Sequence, residues 1–145
     1  NGAAPTYVNM IALEEAVAVA NADVGNMAFL TNAKMRAQLR GTQQFSGTNG
    51  VPVWGSDNTV LGYRAAVSNN ASSTLTKGSS NGVCSAIFFG NWADLLIGMW
   101  GGLDLILDQS VLATSGGRRL VALQDVDVAV RRAASFAAML DALRV

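Results

Sequence analysis

No histidine occurs among the 145 residues, and cysteine occurs once, at Cys84. The first absence excludes imidazole as a catalytic base or metal ligand. The second excludes an intramolecular disulfide and a cysteine-cluster zinc site. Charge is scarce as well: 14% of residues are charged, against about 25% in a typical soluble domain, and ten basic residues balance ten acidic ones. A chain with no net basic field is poorly suited to neutralising nucleic-acid phosphates or to holding an anionic membrane. Long apolar runs are missing too. The most apolar stretch, Leu95 to Leu107, is interrupted by Gly98, Gly101, Gly102 and Asp104 and is too short to span a bilayer. The N-terminal residues Asn1 to Pro5 lack the basic and apolar regions of a signal peptide and read like the cut edge of a longer chain.

What is present in abundance is apolar surface, at 50% hydrophobic residues. That excludes intrinsic disorder. At this length roughly two thirds of the unfolded surface is buried on folding, enough for one domain with a substantial core. Much apolar surface with little charge implies that part of the exterior is covered by other subunits.

The pattern predicts an α+β domain. Thr6 is placed to cap a helix from Tyr7 to Ala22, whose apolar stripe is Met10, Leu13, Val17, Ala20 and Val24. Met27 to Leu30 reads as a short buried strand. Asn32 caps a helix from Ala33 to Arg40, with Gly41 suited to a left-handed C-terminal position. Thr42 to Gly50 and Asn69 to Gly82 read as polar mobile loops. Val51 to Trp54 and Val60 to Ser68 are extended, and Cys84 to Phe89 is apolar on both faces, as a central strand should be. Asn91 is placed to cap a helix from Trp92 to Trp100, followed by a strand through Leu103, Leu105 and Leu107. A long strand is predicted from Arg119 to Arg132, and Phe136 to Val145 fits a strand or a helix equally.

Candidate chemistry is thin. Cys84 sits in a run that reads as buried, where a thiol is inert, and Lys77 lies in a serine-rich loop unsuited to holding a Ser–Lys geometry. Asp125 and Asp127 share a strand face, but alternation puts Arg119 and Arg131 there too, which fits a charge ladder better than a cation site. Gly90-Asn91 leads from a strand into the predicted helix, yet Asp94 would repel an anion there. The doublets Arg118-Arg119 and Arg131-Arg132 fit pairing with carboxylates or carbonyls across a subunit boundary. The subunit-interface candidates are therefore Arg118, Arg119, Asp125, Asp127, Arg131 and Arg132. No catalytic, cofactor or metal site is predicted.

The order of motifs resembles a known family. Phe89-Gly90-Asn91-Trp92, Leu95-Leu96-Ile97-Gly98, Trp100-Gly101-Gly102-Leu103 and Leu107-Asp108 are similar to the signature of tailed-phage major capsid proteins with the Hong Kong 97-type fold. Asp125 to Arg132 with Phe136 resembles that family's closing segment. Pro52-Val53-Trp54 and Leu61-Gly62-Tyr63 match upstream landmarks, and the resemblance covers nearly the whole chain. Arg64, Asn91 and Ala133 depart from the Pro, Asp and Pro that the family places there. The resemblance implies the C-terminal part of a longer shell protein. Residues 1–27 would end a spine helix of the peripheral domain, 28–118 would form the axial domain, and 119–145 would return to the peripheral domain. It further implies self-assembly through pentamers and hexamers into an icosahedral head around double-stranded DNA. The DNA would be held without sequence-specific contacts and without a membrane, in the virion and, during assembly, in the host bacterial cytoplasm. This portion alone is expected to fold without closing into shells. An encapsulin-like cargo compartment and a small hydrolase are the alternatives.

Overall fold

Helix α1 spans Tyr7–Val19 and begins at a reciprocal cap. Thr6 Oγ1 accepts from the Asn9 backbone N–H, and Asn9 Oδ1 accepts from the Thr6 N–H at 2.8 Å. Met10, Leu13 and Val17 bury the predicted stripe. The helix stops short of Ala22 because Asn21 takes a left-handed conformation, and Val24, past the end, is exposed instead of joining the stripe. In the computed structural model, residues 1–47 and 50–144 are described. Thr48 and Asn49 of the expected Thr42–Gly50 loop lie outside the described residues, as does Val145 of the C-terminal segment.

Strand β1 is Met27–Thr31 and helix α2 is Ala33–Gly41, capped by Asn32, whose Oδ1 accepts from the Met35 N–H at 3.0 Å. Gly41 is not left-handed as expected: it forms the last helical residue, and Thr42 ends the helix in extended conformation, its hydroxyl donating to the Gln38 carbonyl. The extended run after Val60 is broken in two. β2 (Thr59–Val60) and β3 (Tyr63–Val67) form a hairpin across Leu61-Gly62, both at positive φ, as a type I′ turn requires. The predicted polar loop 69–82 contains structure. β4 (Leu75–Lys77) pairs antiparallel with the start of β5 (Ser80–Asn91), the chain reversing at Gly78 with φ +57°.

The predicted helix from Trp92 to Trp100 does not form. Asn91 Oδ1 does accept from the Ala93 N–H, but it caps a single 3₁₀ turn, Trp92–Asp94. The chain then runs straight into β6, Leu95–Asp108, which pairs with β7, Arg119–Val130. The reason is compositional. Residues 95–103 offer no polar helix face, whereas Val126, Val128 and Val130 supply a matching row of β-branched partners. Phe136–Leu143 resolves as strand β8.

Strands order as β2-β3-β1-β5-β4, with β8 also on β5. β1 runs parallel to β3, so the connection between them crosses over through α2, and antiparallel to β5. β5 is the central strand the sequence predicted: Cys84, Ala86, Ile87 and Phe89 are all buried. Phe89 lies against Phe29 and Tyr63, with ring centroids at 4.3 and 5.2 Å. Met35 and Leu39 of α2, with Trp54 and Val60, complete the core.

The chain divides into two compact units: residues 1–94 with 132–145, and residues 95–131. Compactness thus breaks at 94/95 and 131/132, whereas the expected domain limits were 27/28 and 118/119. α1 packs into the same core as the sheet, and the chain's final strand joins that sheet through β5.

Candidate assembly surface

The second unit is a two-stranded ribbon with no covering layer of its own. Directly opposed residues share a face, so the register Leu95–Val130, Ile97–Val128 and Met99–Val126 makes one face a continuous apolar row. Beyond Trp100 the register shifts, with three residues of β6, from Gly101 to Leu103, set against Gln124. Gly101 takes the left-handed conformation that such a bulge uses, and Gln124 Nε2 donates to the Trp100 carbonyl at 3.3 Å. Parity along β7 then carries the apolar row on through Ala122 and Leu120, opposite Leu105 and Leu107. Gln124 is the one polar residue that β7 contributes to that row. Val126, Val128 and Val130 remain 54%, 54% and 48% exposed.

The opposite face is mixed. It holds Leu96 against Ala129, Gly98 against Asp127 and Trp100 against Asp125, then Asp104 against Leu123, Ile106 against Val121 and Asp108 against Arg119. Arg119 donates to Asp108 at 3.4 Å, an exposed pair of small energetic worth. The Asp108 carboxyl is held below the usual carboxylate range by hydrogen bonds from Ser110, through its hydroxyl at 2.7 Å and its backbone N–H at 2.9 Å. Asp127 accepts from the Val128 N–H.

Of the six predicted interface residues, the structure puts Arg119, Asp125 and Asp127 on this one face, with Arg118 exposed beside Arg119 and Arg131 just past the end of β7. Arg132 does something else. Its guanidinium donates to the carbonyls of Ala20 and Asn21 at 2.6 and 3.3 Å, closing the C-terminal end of α1 where a cation meets the negative end of the helix dipole. Sequence reasoning misses the apolar row of β6, because Leu95, Ile97 and Met99 fall within the segment that reads as a helix. The alternation Val126, Val128, Val130 is the signal that a matching strand has to exist.

Where the chain enters and leaves the ribbon, Ser135, in another 3₁₀ turn (Ala133–Ser135), donates a short hydrogen bond to the buried Asp94. Asp94 thus holds the fold together at this point, and the three-residue turn it ends is no anion-binding helix. Cys84 is fully buried on β5 between β4 and β8, its Sγ 3.7 Å from the Ser80 carbonyl.

Residues 1–140 match the family model described as the phage capsid family, and the chain belongs to that family. Among curated proteins it is similar to the major capsid protein of Halomonas phage phiHAP-1, at 35% identity over 137 residues, covering 90% of this chain and 21% of that protein. Among solved structures it resembles one from Mycobacterium phage Che8 (TM-score 0.61, 17% identity, covering 95% of this chain and 51% of that one). It also resembles the capsid of an empty GTA particle computed with C5 symmetry (TM-score 0.59, 17% identity, 89% and 41%). The fold is therefore that of the phage capsid proteins, as the motif order implied. The chain spans about a fifth of the curated relative and about half or less of the two structures.

Proposed function

We infer that the chain is part of the major capsid protein of a tailed phage or prophage, a non-enzymatic shell subunit that assembles with copies of itself. The assembly is an icosahedral head of pentamers and hexamers that encloses double-stranded DNA. It forms in the host cytoplasm and persists as the virion. The observation that carries this reading is the ribbon. An isolated two-stranded ribbon is marginally stable in water, and this one presents a row of Val, Ile, Leu and Met side chains to solvent along a strand of about 45 Å. Such a surface is explained by further protein lying on it. Zero net charge suits a wall that encloses DNA without binding it tightly.

The sheet unit contains most of the expected axial segment, 28–118, and is assigned here to the surroundings of the five-fold and quasi-six-fold axes. The charged residues of the ribbon, Arg118, Arg119, Asp125, Asp127 and Arg131, are assigned to contacts between subunits, with Arg132 at the α1 end beside them in sequence. The test is to express the full-length protein and image it by electron microscopy. Uniform icosahedral particles are expected; monodisperse small oligomers at high concentration would refute the reading. Particle contents separate a DNA-filled head from a protein-filled cargo compartment.

A further inference from the structure

The mixed face of the ribbon holds a recognition feature that shell building in general does not require. The indole of Trp100 lies over Gly98, where an added Cβ would come within 2.9 Å of the ring, and Trp100 is nevertheless 59% exposed. Across the ribbon on the same face stand Asp125, opposite Trp100, and Asp127, opposite Gly98. A tryptophan face is the strongest aromatic partner for a cation, and a planar guanidinium both stacks on it and bonds adjacent carboxylates. An exposed indole flanked by two carboxylates therefore matches one side chain above others, an arginine.

The chain carries such an arginine but cannot bring it there itself. Arg118 precedes β7, and six residues of extended strand separate Arg119 from Asp125, about 20 Å, beyond the reach of an arginine side chain. Arg119 is engaged with Asp108, and Arg132 with the end of α1. Arg118 is exposed beside the ribbon's connecting segment. We propose that Trp100, Asp125 and Asp127 form a docking site for the Arg118 guanidinium of a second copy of this chain. The inference rests on the self-assembly reading above and names one contact within it. Charge complementarity fits this occupant, and because the anionic aromatic site and the exposed Arg118 stand at separate points of one ribbon, they meet only between copies.

The experiment is a charge swap in the full-length protein, with assembly followed by sedimentation velocity across protein concentration. Arg118→Glu alone, and Asp125→Arg with Asp127→Arg alone, each raise the concentration needed for assembly about tenfold or more. The three changes combined in one chain recover part of that loss, because the charge attraction is restored with its sign reversed, while the stacking on Trp100, which a carboxylate cannot make, stays lost. Trp100→Ala weakens assembly about tenfold and Trp100→Phe less, a ranking that simple charge attraction does not produce. Should the arginine replacements unfold the ribbon, Asp125→Asn with Asp127→Asn removes the carboxylates without reversing them, and the same loss is expected. Unchanged assembly of Arg118→Glu, or failure of the combined variant to recover when each half alone is weakened, overturns the contact while leaving the shell reading intact. A parent protein that forms no particles overturns both.

Discussion

The apolar row of the ribbon predicts that the same three substitutions act differently in two settings. Val126, Val128 and Val130 are close to half exposed in the chain by itself. Changing Val to Ala removes about two methylene equivalents, worth about 1.6 kcal/mol when fully buried. In the 145-residue chain about half of that is already in water, so each substitution costs roughly 0.8 kcal/mol or less. On the reading proposed above, a particle covers the row, and the remaining half is then lost as well. Summed over the three positions the difference is about 2.4 kcal/mol per subunit, close to 60-fold in an equilibrium constant. Neighbouring sites are not strictly additive, and residual cavities would enlarge the figure. Urea unfolding of the chain gives the first number. The denaturant midpoint of particle dissociation, compared between parent and triple variant, gives the second. Equal losses in the two settings would mean that the row stays wet in the particle, and the ribbon would no longer explain assembly.

Other outcomes follow from the sheet unit. Phe89→Ala, at a fully buried position between Phe29 and Tyr63, should cost about 3–5 kcal/mol, a large share of a domain's total, whereas Phe89→Leu should cost under about 1.5; chemical denaturation monitored by the buried Trp54 distinguishes them. Gly62 and Gly41 both have open space where a Cβ would stand, yet opposite signs are expected. Gly62→Ala forces a side chain to φ +80° and should destabilise by about 1–2 kcal/mol, while Gly41→Ala at the end of α2 should stabilise by about 0.5–1, read as shifts in thermal midpoint. Tyr63 donates its phenol proton to Glu14 at 2.9 Å, and that hydrogen bond, with burial and the nearby negative charges, raises its pKa above 10.0. A raised pKa means the folded chain holds the proton more tightly. The stabilisation is present below about pH 10 and lost as pH rises through the folded value. Unfolding curves at about pH 9 and about pH 11 should show that loss in the parent and lack it in Tyr63→Phe.

Legibility in the sequence follows the physics of each segment. α1, α2, β1 and β5 are readable because their caps and periodicities act locally: Thr6 and Asn32 bond their own helices, and β5 is apolar on both faces wherever it is placed. The region after Asn91 is not, because its cap is real but short, and the outcome is decided by a valine row 27 to 35 residues beyond its partners that no local window contains. The hairpin at Leu61-Gly62 is hidden by a leucine at positive φ, where Asn or Gly is the usual sign. At the interface candidates, residue type points to the ribbon, but nothing local singles out Trp100. Its place opposite Asp125 exists only through pairing, and the room for its ring over Gly98 only through the absence of a side chain there. Family membership is legible from motif order even where these local assignments fail.

The junction at Asp94 and Ser135 has a mechanical consequence. Strand β5 ends just before the ribbon and β8 begins just after it, and the two are bonded neighbours, with Gly90 opposite Phe136. Tension on the ribbon therefore enters the sheet through two adjoining strands clasped by a short hydrogen bond, so that the load is divided at its point of entry. A Cβ at Gly90 would come within 2.9 Å of the Phe136 backbone, so the tightness of that seam itself depends on the absence of a side chain.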